Sequence, residues 1–200
     1  MSDTSSPTVV PAFKLLADEI DVTAMVRQLD AHPELWNQHR LRKDAEGSPH
    51  GDVSDIWLRY NDIRPFQERG DFKDFNDPHI PIWYPAWHVL TETQRFVRSL
   101  SATFQAEMIG GVLITKVAAG GRIAPHTDEG WHVEYYDKFY LSLRAPEDCV
   151  FATAEQATTP KVGDLWLFDN RVEHWVENRS KTEDRITLIT CLRTDVFGRL

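Results

Sequence analysis

The sequence predicts a mainly β fold, either a sandwich or a closed jelly roll, with helices of the N-terminal part packed outside it. Two observations favour this fold. From Gly110 onward, short apolar runs alternate with turn residues at regular spacing, which is typical of such β folds. Before that point, apolar side chains recur at helical spacing in two segments. With 200 residues, 42% of them hydrophobic, the chain suits one domain with a substantial core.

The N-terminal part contains both predicted helices. A short strand is expected at residues 13–16. Asp21 can cap the first turn of a helix that ends before His32-Pro33. Thr91-Glu92-Thr93-Gln94 resembles a capping box and predicts the second helix. These helices are expected to pack against the outside of the β structure.

A strand at residues 53–60 is followed by a long stretch, 61–85, that is rich in Asp, Pro and aromatic residues. Loops of this length are usually functional or disordered, and the aromatic residues argue against disorder. We interpret the stretch as a lid or substrate loop; a simple cover over the sheet edge is the alternative.

Most of the predicted strands lie in the C-terminal half. They are expected at residues 112–117, around His126, and at 139–143, 149–153, 164–168, 174–177 and 185–192. We expect residues 1–11 to form a flexible tail and residues 12–200 to form one domain. Within it, residues 12–108 are predicted to be a helical and lid region, and residues 109–195 the β core.

Composition excludes several classes of partner. The net charge of −9 argues against a nucleic-acid partner or an anionic membrane surface, both of which favour a basic face. No apolar run is long enough to span a membrane, and the first residues lack the features of a signal peptide. The two cysteines, Cys149 and Cys191, have no ligand-like spacing and are expected to be free thiols. We therefore expect a cytoplasmic protein.

A metal site is predicted from three residues. Residues two apart on a strand share a face, so His126 and Asp128 can direct an imidazole nitrogen and a carboxylate oxygen at one point. His174, on a separate predicted strand, can supply a third ligand. Two His and one carboxylate leave coordination positions open, as in Fe(II) oxygenases, whereas structural zinc sites use four protein ligands.

A co-substrate site is predicted on the last strand. Arg185 and Thr187 alternate with apolar residues along residues 185–192, so they share one face. A guanidinium that faces inward needs an anionic partner, and its planar fork suits a carboxylate. In this interpretation 2-oxoglutarate chelates Fe(II) through its keto-acid end, and its far carboxylate reaches Arg185 and the Thr187 hydroxyl.

Two other histidines compete for the metal role. His50 and Asp52 form a second His-x-Asp pair, but it lies among Gly and Pro and lacks a following His and Arg-x-Thr set. A place at the pocket mouth suits it better. His132 is the other rival ligand. It lies in the segment 129–137, which directly follows the metal motif and is the leading candidate for substrate contact.

The segment from about residue 109 to 193 resembles the Fe(II)/2-oxoglutarate-dependent oxygenases, and most of all the aspartyl/asparaginyl β-hydroxylase family. The ordered motifs that carry this resemblance are Gly120-Gly121, Ile123-Ala124-Pro125-His126, Gly163-Asp164-Leu165-Trp166-Leu167-Phe168-Asp169, His174-Trp175-Val176-Glu177-Asn178 and Asp184-Arg185-Ile186-Thr187. The resemblance implies a double-stranded β-helix, which is a cupin-like jelly roll. It also implies Fe(II), 2-oxoglutarate and O2 as cofactors.

The sequence departs from the animal members of this family at two positions. Those members have a basic-x-His strand whose His helps to hold the co-substrate, and here Tyr140 stands at that position, after Lys138-Phe139. Tyr140 retains the ability to donate one hydrogen bond. The animal members also lack the metal carboxylate, whereas Asp128 is present. The chain is thus more similar to the complete-triad branch, which includes free-amino-acid hydroxylases similar to proline 3-hydroxylase.

The sequence therefore predicts a dioxygenase that hydroxylates an amino acid, free or within a peptide, at the β carbon. Trp131, His132, Arg122 and Arg59 are the candidates for substrate contact, although both arginines can equally face solvent. Two alternatives remain open. One is a metal-dependent cupin-type enzyme that uses no keto acid, and the other is a jelly-roll binding module without chemistry.

Overall fold

The computed structural model describes residues 11–194. Apart from Pro11, the predicted N-terminal tail lies outside these residues, and so does the last position of the predicted core, 195.

Eleven strands lie in the described part of the chain. They are β1 (Phe13–Ala17), β2 (Val53–Asn61), β3 (Pro81–Trp83), β4 (Met108–Val117), β5 (Arg122–His126), β6 (Asp137–Arg144), β7 (Cys149–Thr153), β8 (Ala157–Thr158), β9 (Leu165–Phe168), β10 (His174–Asn178) and β11 (Arg185–Arg193). Each strand predicted from the sequence is confirmed, with ends within a few residues. The two short strands β3 and β8 were not predicted.

The helices within residues 11–194 are mostly short. They are α1 (Thr23–Asp30), α2 (Leu41–Asp44), α3 (Arg64–Arg69), α4 (Ala86–Val89), α5 (Thr91–Thr103) and α6 (Trp131–Tyr135), with a 3-10 turn at Pro33–Leu35. None of them combines the length and the apolar character that crossing a lipid bilayer requires.

The strands form two antiparallel sheets. The larger sheet has the order β1-β9-β6-β11-β4-β2-β3, and the smaller one has the order β5-β10-β7-β8. This arrangement confirms the predicted double-stranded β-helix, or jelly roll. The region 12–108 was predicted to be a helical and lid region, but it also supplies β1, β2 and β3 to the larger sheet.

The central strand β11 shows how alternation positions the functional face. Ile186 and Leu188 pack with α1 and α5 in the cluster on the outer face of the larger sheet. Arg185 and Thr187 have the opposite parity, so their side chains point between the sheets. A second apolar cluster, which includes Phe151 of β7, fills the space between the sheets. One strand thus contributes to the core on one side and to the candidate site on the other.

The predicted capping box at the start of α5 is wrong. Leu90 occupies the cap position, and its side chain cannot accept a hydrogen bond from the first turn. Instead, Gln28 of α1 accepts a hydrogen bond from the Glu92 N–H at 2.9 Å and donates one to Thr91 Oγ1 at 3.0 Å. Gln28, from another helix, therefore caps the first turn of α5, which the local sequence pattern had assigned to residues 91–94.

The predicted lid at residues 61–85 is ordered and contains regular structure. It contains α3 and β3, and its aromatic residues Phe66, Phe75 and Tyr84 are buried against Trp57 of β2. Tyr84 donates a hydrogen bond to the Asn61 carbonyl at 2.6 Å. This packing ties much of the stretch to the sheet edge, while its central part reaches the cavity that is described next.

Candidate metal centre and its cavity

Two imidazoles meet because two strands pair in register. His126 is the last residue of β5 and His174 is the first residue of β10, and the two are direct partners in the antiparallel ladder. Their ring centroids lie 4.3 Å apart. The sheet therefore delivers both rings to the same side, as the sequence predicts.

Asp128 completes the group. It lies two residues beyond the end of β5, and its Oδ1 is 3.6 Å from His126 Nε2. One ligand atom from each of His126, Asp128 and His174 lies within 4.8 Å of the other two. Three ligand-capable atoms at this spacing can bind one metal ion and leave its remaining coordination positions open.

Backbone carbonyls fix the orientation of both imidazoles. His126 Nδ1 lies 2.8 Å from the Ala124 carbonyl, and His174 Nδ1 lies 2.9 Å from the Val172 carbonyl. A carbonyl oxygen can only accept, so Nδ1 carries the proton in each ring and Nε2 keeps its lone pair. This is the arrangement in which metal-binding histidines are usually held.

The charges of the group also suit a cation. Burial lowers the pKa of His174 to about 4, so its ring is neutral at neutral pH. Burial alone would raise the pKa of Asp128, but the Lys138 ammonium holds it well below its usual value. His174 therefore presents a neutral imidazole and Asp128 a carboxylate, which are the forms that bind metals.

Arg185 is a buried cation without an anion. It is the first residue of β11, is only 4% exposed, and its guanidinium carbon lies 5.7 Å from the centre of the Phe151 ring. No carboxylate among residues 11–194 forms an ion pair with it, and burial lowers its pKa. A buried charge of this kind requires a partner, which an anionic ligand could supply.

Thr187 has an unsatisfied hydroxyl on the same face. The residue is 1% exposed, and its buried Oγ1 has no hydrogen-bond partner within the described chain. Buried polar atoms are nearly always hydrogen-bonded, so an orphan beside an unpaired guanidinium is informative. Together, Arg185 and Thr187 fit the far carboxylate of a dicarboxylic co-substrate.

Tyr140 lies on the inner face of β6. It is 8% exposed, pairs with Ile189 of β11, and packs against the rings of Phe151 and Phe168 at 5.4 and 5.6 Å. Burial raises its pKa, so its hydroxyl stays protonated and can donate a hydrogen bond. The Arg185 guanidinium lies against the same Phe151 ring and His174 against the same Phe168 ring, so Tyr140 contacts aromatic rings that adjoin both predicted groups.

A cavity of about 720 Å³ opens beside the metal group. His126 and Asp128 line it, together with Trp131 and His132 of α6. Trp131 is 40% exposed and donates a hydrogen bond to the Asp77 carbonyl at 2.9 Å. The segment after the metal motif therefore joins the 61–85 stretch at the cavity mouth, and burial lowers the pKa of His132.

Arg59 and Arg122 lie elsewhere, and neither is among the residues that line the cavity. The Arg59 guanidinium lies 4.5 Å above the Trp83 ring, and its Nε donates to the Ile109 carbonyl at 2.9 Å. Arg122 is exposed on β5. Their positions therefore give no support to the prediction that they contact substrate. The charge of a residue does not show which face of a strand its side chain is on, so the sequence could not place them.

Two of the residues that line the cavity, Arg42 and Lys138, were not predicted as part of the site. Arg42 donates to Asp55 at 2.9 Å and contacts His50 Nε2 at 3.2 Å, and both Arg42 and His50 line the cavity. The His50 ring lies 5.0 Å from that of His126 but outside the metal group, in agreement with its expected place at the pocket mouth. Lys138 also lines the cavity; its parity with Tyr140 on β6 was the signal for its inward direction.

Comparison with known proteins identifies the family. A family model described as aspartyl/asparaginyl beta-hydroxylase matches residues 85–194. No curated protein matches the chain at a significant level. Among solved structures, a 2OG-Fe(II) oxygenase family oxidoreductase from Burkholderia pseudomallei is similar, with 15% identity, a TM-score of 0.52, and coverage of 84% of this chain and 77% of that one.

A second similar structure is a prolyl hydroxylase in complex with a hypoxia inducible factor oxygen degradation domain peptide fragment from Trichoplax adhaerens. It is 13% identical, with a TM-score of 0.55 and coverage of 92% of this chain and 84% of that one. At such low identity these structures support the fold. The His-Asp-His group, the unpaired Arg185 and the family match agree with Fe(II), 2-oxoglutarate and O2 as cofactors. The chain belongs to the aspartyl/asparaginyl beta-hydroxylase family.

Proposed function

We propose that this 2-oxoglutarate-dependent dioxygenase hydroxylates an amino acid, free or within a peptide, at its β carbon. The observation that carries the proposal is the coexistence of two features. One is the His126, Asp128 and His174 group, and the other is the buried Arg185, which has no anionic partner among residues 11–194. A structural metal site or a plain binding cleft would need only the first feature or neither.

In this proposal His126 Nε2, Asp128 Oδ1 and His174 Nε2 hold the Fe(II) ion. The hydrogen bonds of both Nδ1 atoms to backbone carbonyls support these roles, because they leave each Nε2 free to bind. Three protein ligands leave positions for a bidentate keto acid and for O2. Bound Fe(II), with 2-oxoglutarate and O2, supplies the oxidising chemistry, and the protein supplies position and polarity.

Arg185 and Thr187 bind the far carboxylate of 2-oxoglutarate. The guanidinium would form a charge-assisted pair with that carboxylate, and the orphan Thr187 hydroxyl would donate to it. Tyr140, which stays protonated, donates one more hydrogen bond to the co-substrate. Burial of these groups excludes water and makes each interaction stronger than it would be in solvent.

The substrate enters the cavity of about 720 Å³, a volume in the usual range for small-molecule sites. Trp131 and His132 at its wall are the proposed substrate contacts. The description of the family supports the amino-acid class and the β carbon, and the complete triad favours the branch similar to proline 3-hydroxylase. The bound peptide of the Trichoplax structure supports the inclusion of peptides among the substrates to be tested.

The test is turnover with purified protein. Fe(II), 2-oxoglutarate and a panel of amino acids and short peptides, with proline and aspartyl peptides included, are supplied in air, and succinate and hydroxylated product are measured by NMR. We expect succinate formation that depends on iron and on one substrate class. Absence of both turnover and iron-dependent binding of 2-oxoglutarate would overturn the proposal.

A further inference from the structure

The two oxygens of the Asp128 carboxylate have different surroundings. Oδ1 lies 3.6 Å from His126 Nε2, on the side where the three ligand-capable atoms converge. Oδ2 accepts a hydrogen bond from Asn170 Nδ2 at 2.8 Å and is also in contact with Lys138 Nζ. Oδ2 therefore accepts from two donors, whereas Oδ1 faces the metal group.

Both donors come from elements that are separate from the metal motif. Lys138 lies on β6, and Asn170 lies in the turn between β9 and β10. Asn170 is 1% exposed, and the side chain of Lys138 is 17% exposed. A buried amide and a buried ammonium aimed at one oxygen are costly to assemble without a role.

We propose that Asn170 and Lys138 are positioning residues that hold Asp128 Oδ2, so that Asp128 binds the metal through Oδ1 alone. The inference rests on the proposed metal site. It concerns how that site is kept open, because a carboxylate that bound through both oxygens would occupy one more coordination position. That position is needed when a bidentate keto acid and O2 share the ion.

Asn170 gives the sharper test of the two donors. The Asn170 amide is neutral, so its removal changes the position of the carboxylate without changing the charge of the site. Lys138 both holds the carboxylate and repels a divalent cation, so the effects of its removal on metal affinity oppose each other. Loss of an outer hydrogen-bond partner of a metal ligand typically weakens metal binding 10–100-fold.

The experiment titrates the metal-free protein with Co(II), a spectroscopic substitute for Fe(II), and follows binding by calorimetry and visible absorption. We expect Asn170→Ala to bind Co(II) about 10–100-fold more weakly than the wild type. The matched control is Asn61→Ala. Asn61 donates an amide hydrogen bond to the Phe75 carbonyl at 3.0 Å in the same cavity, away from the metal group, so its loss should leave the affinity unchanged.

A second pair of variants shows whether Asn170 acts through Asp128. In an Asp128→Ala background, Asn170→Ala should cause no further loss, because the oxygen that the amide holds is gone. Asn170→Ser keeps a polar side chain in the buried turn, guards against misfolding of the alanine variant, and carries the same expected loss. Far-UV circular dichroism checks that every variant is folded.

The outcomes separate this inference from the proposed function. If the wild type binds no Co(II), the proposed metal site itself fails. If the wild type binds Co(II) and Asn170→Ala binds it equally well, the positioning role is wrong. A loss that persists in the Asp128→Ala background also overturns it, since Asn170 would then act through the fold and not through the carboxylate.

Discussion

His126 and His174 are direct partners across the antiparallel pair β5 and β10, and their ring centroids lie 4.3 Å apart. A shift of this pairing by one residue would turn one imidazole to the opposite face of the sheet. The register also shifts just beyond the pair, between His174 and Val176. The geometry of the candidate metal centre is thus set by strand pairing.

Replacement of Arg185 by Met should weaken 2-oxoglutarate binding but stabilise the metal-free protein. Loss of the guanidinium should weaken binding of 2-oxoglutarate to the metal-loaded protein about 100-fold, as expected for a buried charged pair. The free energy of unfolding of the metal-free protein should rise by about 1 kcal/mol or more, because an unpaired buried charge is removed. Anaerobic calorimetry and urea unfolding measure the two effects. Arg179→Met, which removes only an exposed pair with Glu177, should change neither.

Unchanged 2-oxoglutarate affinity in Arg185→Met would instead favour a metal-dependent cupin-type enzyme that uses no keto acid.

Replacement of Asp128 by Ala should abolish turnover and weaken metal binding more than about 100-fold, since a ligand matters more than its outer partners. Metal titration and succinate formation measure these effects. The matched control is Asp52→Ala in the second His-x-Asp pair, whose carboxylate accepts the Arg122 N–H at 3.2 Å. Equal metal affinity in the Asp128 variant would support a binding module without metal chemistry.

Replacement of Lys138 by Met should destabilise the metal-free protein. The side chains of Lys138 and Asp128 are 17% and 18% exposed, so the variant leaves a largely buried carboxylate without its cation. We expect the free energy of unfolding to fall by about 3 kcal/mol, measured by urea denaturation. Lys116→Met should cost less than about 1 kcal/mol, because its 3.8 Å pair with Asp184 is more exposed. Equal losses in the two variants would contradict this account.

The stability of the metal-free protein should fall as the pH decreases below about 6.5, the usual histidine pKa. Burial lowers the pKa of His174 to about 4, and burial with Arg42 lowers that of His50 to about 2. Between pH 6.5 and 4 the unfolded chain therefore binds more protons than the folded one, so lower pH favours unfolding.

Urea unfolding at several pH values tests this prediction. His50→Gln should reduce the loss between pH 6.5 and 5 by about 1–2 kcal/mol. His32→Gln is the control, since His32 is on the surface and pairs with Glu34. A pH dependence that is identical in the wild type and the His50 variant would show that His50 is not held neutral.

Replacement of Gly163 by Ala should destabilise the turn that precedes β9. Gly163 has φ +84°, and an added Cβ would lie 2.6 Å from the Ile20 carbonyl oxygen. The variant combines left-handed strain of about 1–2 kcal/mol with a backbone clash. Gly120→Ala, at φ +72° with nothing within 4 Å of its Cβ, should show the strain alone. Thermal unfolding compares them, and a larger loss at Gly120 would contradict the structure.

The convergence of His126, Asp128 and His174 and the shared inward face of Arg185 and Thr187 could be predicted because local rules determine them. Residues two apart share a face of a strand, and a buried guanidinium needs an anion, so spacing and residue type were sufficient. The strands of the jelly roll were predicted for the same reason, since alternation and turn residues are visible in a single sequence.

Other features depend on contacts between distant segments. Gln28 caps α5 from another helix, and Asn170 reaches Asp128 from the turn after β9. Neither contact has a local sequence signal. The inward direction of Lys138 was readable from its strand, but its partner was not, and the charge of Arg59 gave no information about its position on Trp83. Strand register and tertiary packing, which one sequence does not encode locally, determine these contacts.

A crystal structure of the protein with Mn(II) and 2-oxoglutarate tests the central claim most directly. We expect one metal ion about 2.2 Å from His126 Nε2, Asp128 Oδ1 and His174 Nε2, with the far carboxylate of the keto acid on Arg185 and Thr187. A metal ion bound elsewhere, or a keto acid whose carboxylate does not contact Arg185, would contradict it.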